Sequence, residues 1–141
     1  MPESGGEGVI VAGGGINGGW SLYVLDGKLT YHYSLADFEH NTVQTTNRLP
    51  SGRVVVELDY TSKGLKPGGT LNSGATVKLL VDGTVTGEGT VGSAMIRQGI
   101  EPFEIGRDSI SAVSPDYRAK GSFPFNGTIE TIRFDATPQR Q

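Results

Sequence analysis

The chain has 141 residues, enough for one domain with a single hydrophobic core. It contains no cysteine, which excludes disulfides, thiolate metal sites and cysteine nucleophiles. Its net charge is −3 with no basic run, which argues against a nucleic-acid partner, because neutralising phosphates requires clustered Lys and Arg. No apolar stretch approaches the ~18 residues of a membrane-spanning helix. The start, Met1–Ser4, carries neither the basic nor the apolar region of a signal peptide.

Short strands separated by glycine-rich turns are the recurring pattern. Glycine accounts for 22 of the 141 residues, which indicates many tight turns. No segment of helical length has apolar residues at helical spacing, whereas alternation by two recurs. In chain order, the predicted strands are 8–12, 20–25, 28–33, 38–46, 53–60, 76–81, 84–86, 103–106 and 128–135, the last with a bulge.

Two hairpins are predicted at Asp-Gly pairs. Asp26-Gly27 joins two alternating segments, and Asp82-Gly83 joins another two. Asp-Gly is favoured in such two-residue loops because a type I′ turn needs positive φ at both central positions.

The apolar alternation predicts which faces of the strands are buried. The inward-facing residues are Val54, Val56, Leu58, Tyr60, Val77, Leu79 and Val81. Loops are predicted at 47–52, 61–74, 92–102 and 107–126. The sequence therefore predicts an all-β domain over 8–136, a two-sheet antiparallel β-sandwich, with flexible tails at 1–7 and 137–141.

A glycine pattern near the N-terminus matches G-x-G-x-x-G at Gly13, Gly15 and Gly18. In a dinucleotide-binding fold the third glycine opens a helix whose N-terminus holds the pyrophosphate. Here the segment Trp20–Leu25 reads as a strand ended by a turn. The pattern is therefore interpreted as a glycine-rich turn between strands, with no cofactor bound.

Glu57 and Asp59 place two carboxylates on one strand face, about 7 Å apart by the strand rise. A retaining glycosidase needs its pair about 5–5.5 Å apart. The glycosidase pattern E-x-D-x-E has a third acid that is absent here. The favoured interpretation is therefore a strand face exposed to solvent. The two histidines, His32 and His40, lack metal-motif spacing and are predicted to be ordinary surface or half-buried side chains.

One loop, 107–117, concentrates acids and hydroxyls. Asp108 and Asp116 are its two carboxylates, and they are the candidate ligands for a possible Ca²⁺ ion, which accepts oxygen ligands in flexible geometry. The alternative is that these residues form turns by hydrogen bonding to their own backbone.

A resemblance to a known family is carried by the segments 14–24, 26–29, 31–33, 49–53, 80–83, 103–106, 113–117 and 125–130, so that it spans about residues 8–136. Together these segments resemble the non-catalytic C-terminal β-sandwich of large bacterial arylsulfatases. The last segment is also similar to the closing strand of laminin-G-like and concanavalin A-like jelly rolls. The resemblance implies a jelly-roll sandwich.

The family's catalytic motif, C/S-x-P-x-R, has no counterpart here. The nearest match, Ser122–Asn126, ends in Asn where the motif requires Arg. The resemblance therefore implies a non-catalytic accessory or structural domain, not an enzyme, that needs no cofactor. Its partner would be the catalytic sulfatase domain of the same parent chain, in the periplasm or outside the cell.

The alternative function is a lectin-like module that binds glycans, sulfated ones among them. Such a site stacks sugar faces on aromatic rings and bonds their hydroxyls with polar groups. The candidate ligand-binding residues are Trp20, Tyr23, Tyr31, Tyr33 and Tyr117. Core packing is the competing role for these rings.

Overall fold

A computed structural model gives the fold of the chain. It describes residues 1–2, 5–15, 18–35, 39–62, 71–72, 75–91, 94–95, 104–108, 113–121 and 123–133. The strands in this part are β1 (Gly8–Gly15), β2 (Gly18–Leu25), β3 (Lys28–Leu35), β4 (Glu39–Gln44), β5 (Val56–Ser62), β6 (Leu71–Asn72), β7 (Ala75–Val81), β8 (Thr84–Val91), β9 (Ala94–Met95) and β10 (Glu104–Ile105). One 3₁₀ helix covers Pro115–Lys120.

The larger sheet, which we call sheet A, has the order β10-β1-β2-β3-β4, and all its pairings are antiparallel. Strands β1 to β4 follow one another as neighbours, and β10 returns to lie beside β1. The turn between β2 and β3 has positive φ at both Asp26 (52°) and Gly27 (77°), as the type I′ prediction requires.

The smaller sheet, sheet B, has the order β5-β7-β8. Its β7–β8 turn repeats the type I′ geometry at Asp82 (φ 48°) and Gly83 (φ 84°), so both predicted hairpins are confirmed. The short pair β6–β9 keeps the register of β7–β8, because Leu71 faces Met95 just as Ala75 faces Val91. The two pairs therefore share one register.

Sheets A and B pack face to face, which confirms the predicted all-β sandwich. The buried residues between them, called the inner cluster here, are Ile10, Val11, Leu22, Val24, Leu29, Tyr31, Tyr33, Val43, Leu49, Ala75, Val77 and Leu79. Val77 and Leu79 are fully buried, and Val56, Leu58 and Val81 pack against the cluster from partly buried positions. Tyr60, also predicted to face inward, remains 39 % exposed.

One side of the sandwich closes where β8 meets β4. A Cβ on Gly87 would stand 2.8 Å from the backbone oxygen of Gln44, and one on Gly89 would stand 2.8 Å from Val43 Cγ2. Glycine at both positions lets the two strands approach this closely. The contact is reinforced by a 2.9 Å hydrogen bond from Thr46 N to Thr86 O.

The segment 125–132 closes the other side. Phe125, Ile129 and Ile132 pack against the inner cluster, and Glu130 forms a two-bond ion pair with Arg53 of the region before β5. The prediction of a bulged strand over 128–135 is wrong for 128–133, where no ladder forms; 134–135 lie outside the described residues. The two isoleucines pack against the inner cluster although their segment forms no ladder, so apolar spacing alone misidentifies it as a strand.

Irregularities in the ladders occur elsewhere. The register shifts between Val9 and Val11 in β1, and between Leu79 and Leu80 in β7. Within the predicted tail 1–7, Met1 packs against the inner cluster and Glu7 N donates to Asn126 Oδ1 at 2.9 Å. The tail 137–141 lies outside the described residues.

Candidate functional site

The outer face of sheet A, opposite the inner cluster, carries buried polar side chains. Ser21, Thr30, His32 and Ser34 are all at most 2 % exposed. Cross-strand pairing explains the arrangement, because Ser21 faces His32 on β3 and His32 faces Thr42 on β4. A covered polar face is unusual for a sandwich strand and makes this region the candidate site.

Part of the cover is the segment 113–123, which contains the 3₁₀ helix. Tyr117 and Phe123 pack with residues of β1 and β2 in an outer cluster whose members are Val9, Ala12, Tyr23, Tyr117 and Phe123. The ring of Tyr117 stacks on Phe123 at 5.3 Å and meets the ring of Tyr23 edge to face at 5.0 Å. Ser114 caps the helix by accepting a 3.2 Å hydrogen bond from Asp116 N.

The hydroxyl of Tyr117 sits between a carboxylate and a serine. It donates to Asp108 Oδ2 at 2.6 Å and is hydrogen-bonded to Ser21 Oγ at 3.0 Å. The same Asp108 oxygen accepts from Val113 N at 2.9 Å, and Asp108 is only 3 % exposed. These bonds tie β2 to the covering segment, and a buried carboxylate of this kind needs such partners.

Tyr23, on strand β2, likewise contacts one carboxylate and one serine. Its hydroxyl donates to Asp116 Oδ2 at 2.7 Å and lies 3.0 Å from Ser114 Oγ. Tyr23 therefore reaches a carboxylate on the covering segment, whereas Tyr117 reaches from that segment to Ser21 of β2 and to Asp108, which follows β10. We call these six residues the tyrosine–carboxylate network; its members are Ser21, Tyr23, Asp108, Ser114, Asp116 and Tyr117.

The two tyrosines of the network are held in the neutral form. Burial is the main cause that raises the pKa of Tyr23 and Tyr117 above the ordinary range. The hydrogen bonds to Asp116 and Asp108 raise these pKa values further. Neither hydroxyl is a ready nucleophile at neutral pH, because a phenolate would have to form beside a carboxylate.

The aromatic residues predicted to stack on sugars lie mostly in the interior. Tyr23 and Tyr117 belong to the outer cluster, while Tyr31 and Tyr33, each 3 % exposed, belong to the inner cluster. A buried ring has no free face for a sugar, so the structure supports the core-packing role for these four. Trp20 is partly buried against the inner cluster. Its indole Nε1 lies 2.8 Å from the position that a Cβ on Gly13 would take.

Asp108 and Asp116, the predicted calcium ligands, are both engaged by tyrosine hydroxyls. Asp108 is buried and Asp116 is exposed. In the described part of the chain, no group of three or more acidic or histidine side chains could hold a metal ion. Calcium binding therefore stays a prediction, and the observed role of both acids is to accept hydrogen bonds.

The other sequence patterns also have defined places. Gly13, Gly15 and Gly18 lie in the β1–β2 pair, and the chain after Gly18 is strand, as predicted. Glu57 and Asp59 are exposed on the outer face of sheet B, as expected of a solvated strand face.

His32 and His40, which are far from any metal motif in sequence, are brought into contact. Nε2 of His32 and Nδ1 of His40 lie 2.7 Å apart. Sequence reasoning missed this pair because the register of β3 on β4 decides it. The sequence does place the two histidines eight residues apart, on strands that are neighbours along the chain. That separation predicts a contact only when the length of the turn between the strands is known.

A polar cleft of about 150 Å³ opens beside the Asp26-Gly27 turn. Its lining residues are Gly5, Gly6, Glu7, Asp26, Gly27 and Arg48. Nε of Arg48 lies 2.7 Å from the position of a Cβ on Gly27, so the missing side chain makes room for the guanidinium. With the residues that the structure describes, Arg48 makes no ion pair.

Comparisons with protein-family models, curated proteins and solved structures found no match to the chain. In the described residues, no helix is long and apolar enough to cross a membrane.

Proposed function

We propose that the chain is a non-catalytic accessory domain, of the kind that its resemblance to the C-terminal β-sandwich of bacterial arylsulfatases implies. Its partner is then the catalytic sulfatase domain of the same parent chain, in the periplasm or outside the cell. It contributes stability or shapes access to the catalytic site, and it carries out no chemistry of its own.

The observation that carries the proposal is that the carboxylates of the tyrosine–carboxylate network are hydrogen-bonded to groups of their own domain. Asp108 accepts from both Tyr117 and Val113 N, and Asp116 accepts from Tyr23. A general base or nucleophile must present a free lone pair to substrate. Both carboxylates accept hydrogen bonds from tyrosine hydroxyls of their own domain, and this arrangement supports a structural role.

A hydrolysis assay tests this directly. The chain is incubated with aryl sulfate and aryl glycoside substrates, beside an active sulfatase and an active glycosidase as positive controls. We expect turnover no faster than in buffer. Turnover that the conservative variants Asp108→Asn or Asp116→Asn abolish, in protein that still folds, would overturn the proposal.

The lectin-like alternative is favoured by one feature, the polar cleft at Glu7, Asp26 and Arg48. Two carboxylates that accept and a guanidinium that donates can together bond neighbouring sugar hydroxyls, and the guanidinium can donate to a sulfate. Calorimetry with neutral and sulfated oligosaccharides tests it, with Arg48→Ala as the variant and Lys28→Ala as the control. Saturable binding that only Arg48→Ala removes would favour this function; absence of binding would leave the accessory role.

A further inference from the structure

The pairing of β3 with β4 places two imidazoles side by side on the outer face of sheet A. His32 faces Thr42 across the ladder, and Ser34 faces His40. His32 and His40 are therefore diagonal neighbours, a spacing within reach of long side chains on adjacent strands. Their ring centroids are 4.9 Å apart with the planes inclined by 44°.

The two rings differ in burial, and a third side chain holds the buried one. His32 is 2 % exposed, whereas His40 is exposed. Nδ1 of His32 lies 2.8 Å from Thr42 Oγ1, and its Nε2 lies 2.7 Å from His40 Nδ1. When Nδ1 of His32 donates its proton to Thr42, the lone pair of Nε2 points at His40.

This is the arrangement that metal-ligating histidines use. One ring nitrogen binds the ion while the other donates to an oxygen that fixes the tautomer and the ring orientation. His40 can supply the second nitrogen by carrying its own proton on Nε2, which leaves the Nδ1 lone pair facing His32. The proton between the two nitrogens then moves through water to Nε2 of His40, and the ion takes its place.

We propose that His32 Nε2 and His40 Nδ1 form a binding site for a divalent transition-metal ion such as Zn²⁺, Ni²⁺ or Cu²⁺, with Thr42 as a positioning residue. Zn–N bonds of about 2.0–2.1 Å at tetrahedral angles set the two nitrogens about 3.3 Å apart. The present 2.7 Å separation has to open by about 0.6 Å. The exposed ring of His40 can make that movement while His32 stays fixed by Thr42.

The ligand chemistry selects the class of ion. Neutral imidazole nitrogens suit Zn²⁺, Cu²⁺ and Ni²⁺, whereas Ca²⁺ and Mg²⁺ prefer oxygen. Water completes the coordination on the solvent side of His40. A site with two protein ligands binds weakly and exchanges its ion readily, so it differs from the calcium loop expected at Asp108 and Asp116.

The experiment titrates the metal-free protein with ZnCl₂ and with NiCl₂ by calorimetry. We expect one ion per chain. His40→Ala should abolish binding without unfolding, because the side chain is exposed. Thr42→Val keeps both ligands and removes the orienting oxygen, so its affinity should fall roughly tenfold. Gln44→Ala, on the same face of β4, is the matched control and should bind as the unmodified chain does.

Nitrogen-15 spectra of the imidazoles distinguish metal binding from a merely structural role of the two histidines. Added Zn²⁺ should shift Nε2 of His32 and Nδ1 of His40 while leaving the tautomer of His32 unchanged. Binding that survives His40→Ala would overturn the proposal, and so would a shift confined to Nε2 of His40. Absence of binding at millimolar metal would show that the two rings only share a hydrogen bond.

Discussion

The two faces of sheet A are built from the same strands in opposite ways. On the inner face, side chains such as Leu22 and Val43 meet sheet B through apolar contact alone. On the outer face, Tyr23 donates a hydrogen bond to Asp116 of the covering segment, and Ser21 is hydrogen-bonded to the hydroxyl of Tyr117. Apolar burial is non-directional and tolerates small shifts, whereas hydrogen bonds fix the position of their partners. The inner face therefore supplies stability, and the outer face fixes where the covering segment lies.

Tyrosine shows the contrast within one residue type. Tyr31 lies on the inner face and is buried among apolar side chains. Tyr23 lies on the outer face, and its hydroxyl donates to Asp116 on the segment that carries the 3₁₀ helix. The same ring thus fills volume on one side of the sheet and orients a segment on the other.

The largest effect should come from a cavity at the inner face. Leu79→Ala removes a fully buried side chain of β7 that packs on sheet A. We expect a loss of about 2–5 kcal/mol in the free energy of unfolding, because the lost apolar contact leaves a cavity. Urea denaturation followed by tryptophan fluorescence measures it. Leu80→Ala, half-buried on the opposite face of β7, is the matched control and should cost clearly less.

A smaller loss is expected at the outer face. Tyr117→Phe removes the hydroxyl that bonds Asp108 and leaves a buried carboxylate oxygen with one partner fewer. The expected cost is about 1–3 kcal/mol. Tyr23→Phe should cost less, because its carboxylate partner Asp116 is exposed and water can replace the hydroxyl. Equal losses in urea denaturation would contradict the assignment of Asp108 as the buried anchor.

Alkaline pH should lower the free energy of unfolding through the buried tyrosines on both faces of sheet A. Burial raises the pKa of Tyr23, Tyr31 and Tyr117 in the folded chain, whereas unfolded tyrosine ionises near pH 10. Above that pH the unfolded chain binds fewer protons, so stability falls as pH rises. The expected loss is on the order of 1 kcal/mol per buried tyrosine at about pH 11. Absorbance near the phenolate band should show these three ionising only as the chain unfolds; titration of all five in the folded state would contradict it.

The smallest effect is expected where the 125–132 segment meets the region before β5. The Arg53–Glu130 pair has good two-bond geometry, but its side chains are 81 % and 59 % exposed. Arg53 lowers the pKa of Glu130, so any stabilisation is present at neutral pH and is lost as the pH falls through that pKa. Arg53→Ala should leave the thermal midpoint within measurement scatter. A clear drop would mean that the ion pair, and not the isoleucines, holds the segment.

Local signals in the sequence were sufficient for much of the fold. Asp26-Gly27 and Asp82-Gly83 predict their turns because the required φ values are a property of the two residues themselves. Alternation predicts the buried positions Val77 and Leu79 because a strand with one covered face must be apolar on it. The segment 128–133 is the exception, because its apolar residues pack against the inner cluster without pairing into a ladder.

The candidate site depends on contacts that no local pattern encodes. Tyr23 and Asp116 are 93 positions apart, and Tyr117 and Ser21 are 96 apart. The sequence predicts these Tyr and Asp residues as candidates for sugar stacking and calcium binding, and the hydrogen bonds between them follow only from the fold. The contact of His32 with His40 follows from strand register, which the apolar pattern constrains only through the turn that joins the strands.

The change from the three-stranded sheet B to the two-stranded β6–β9 pair has a consequence for the time scale of opening. In the described residues β5 pairs with β7 from Val56 to Ser62, whereas β6 pairs with β9 alone. Amide protons near Leu79, flanked by strands on both sides, should exchange with deuterium only when the whole chain opens. Those near Leu71 should exchange through local fraying, so that protection is lower in β6 than in β7.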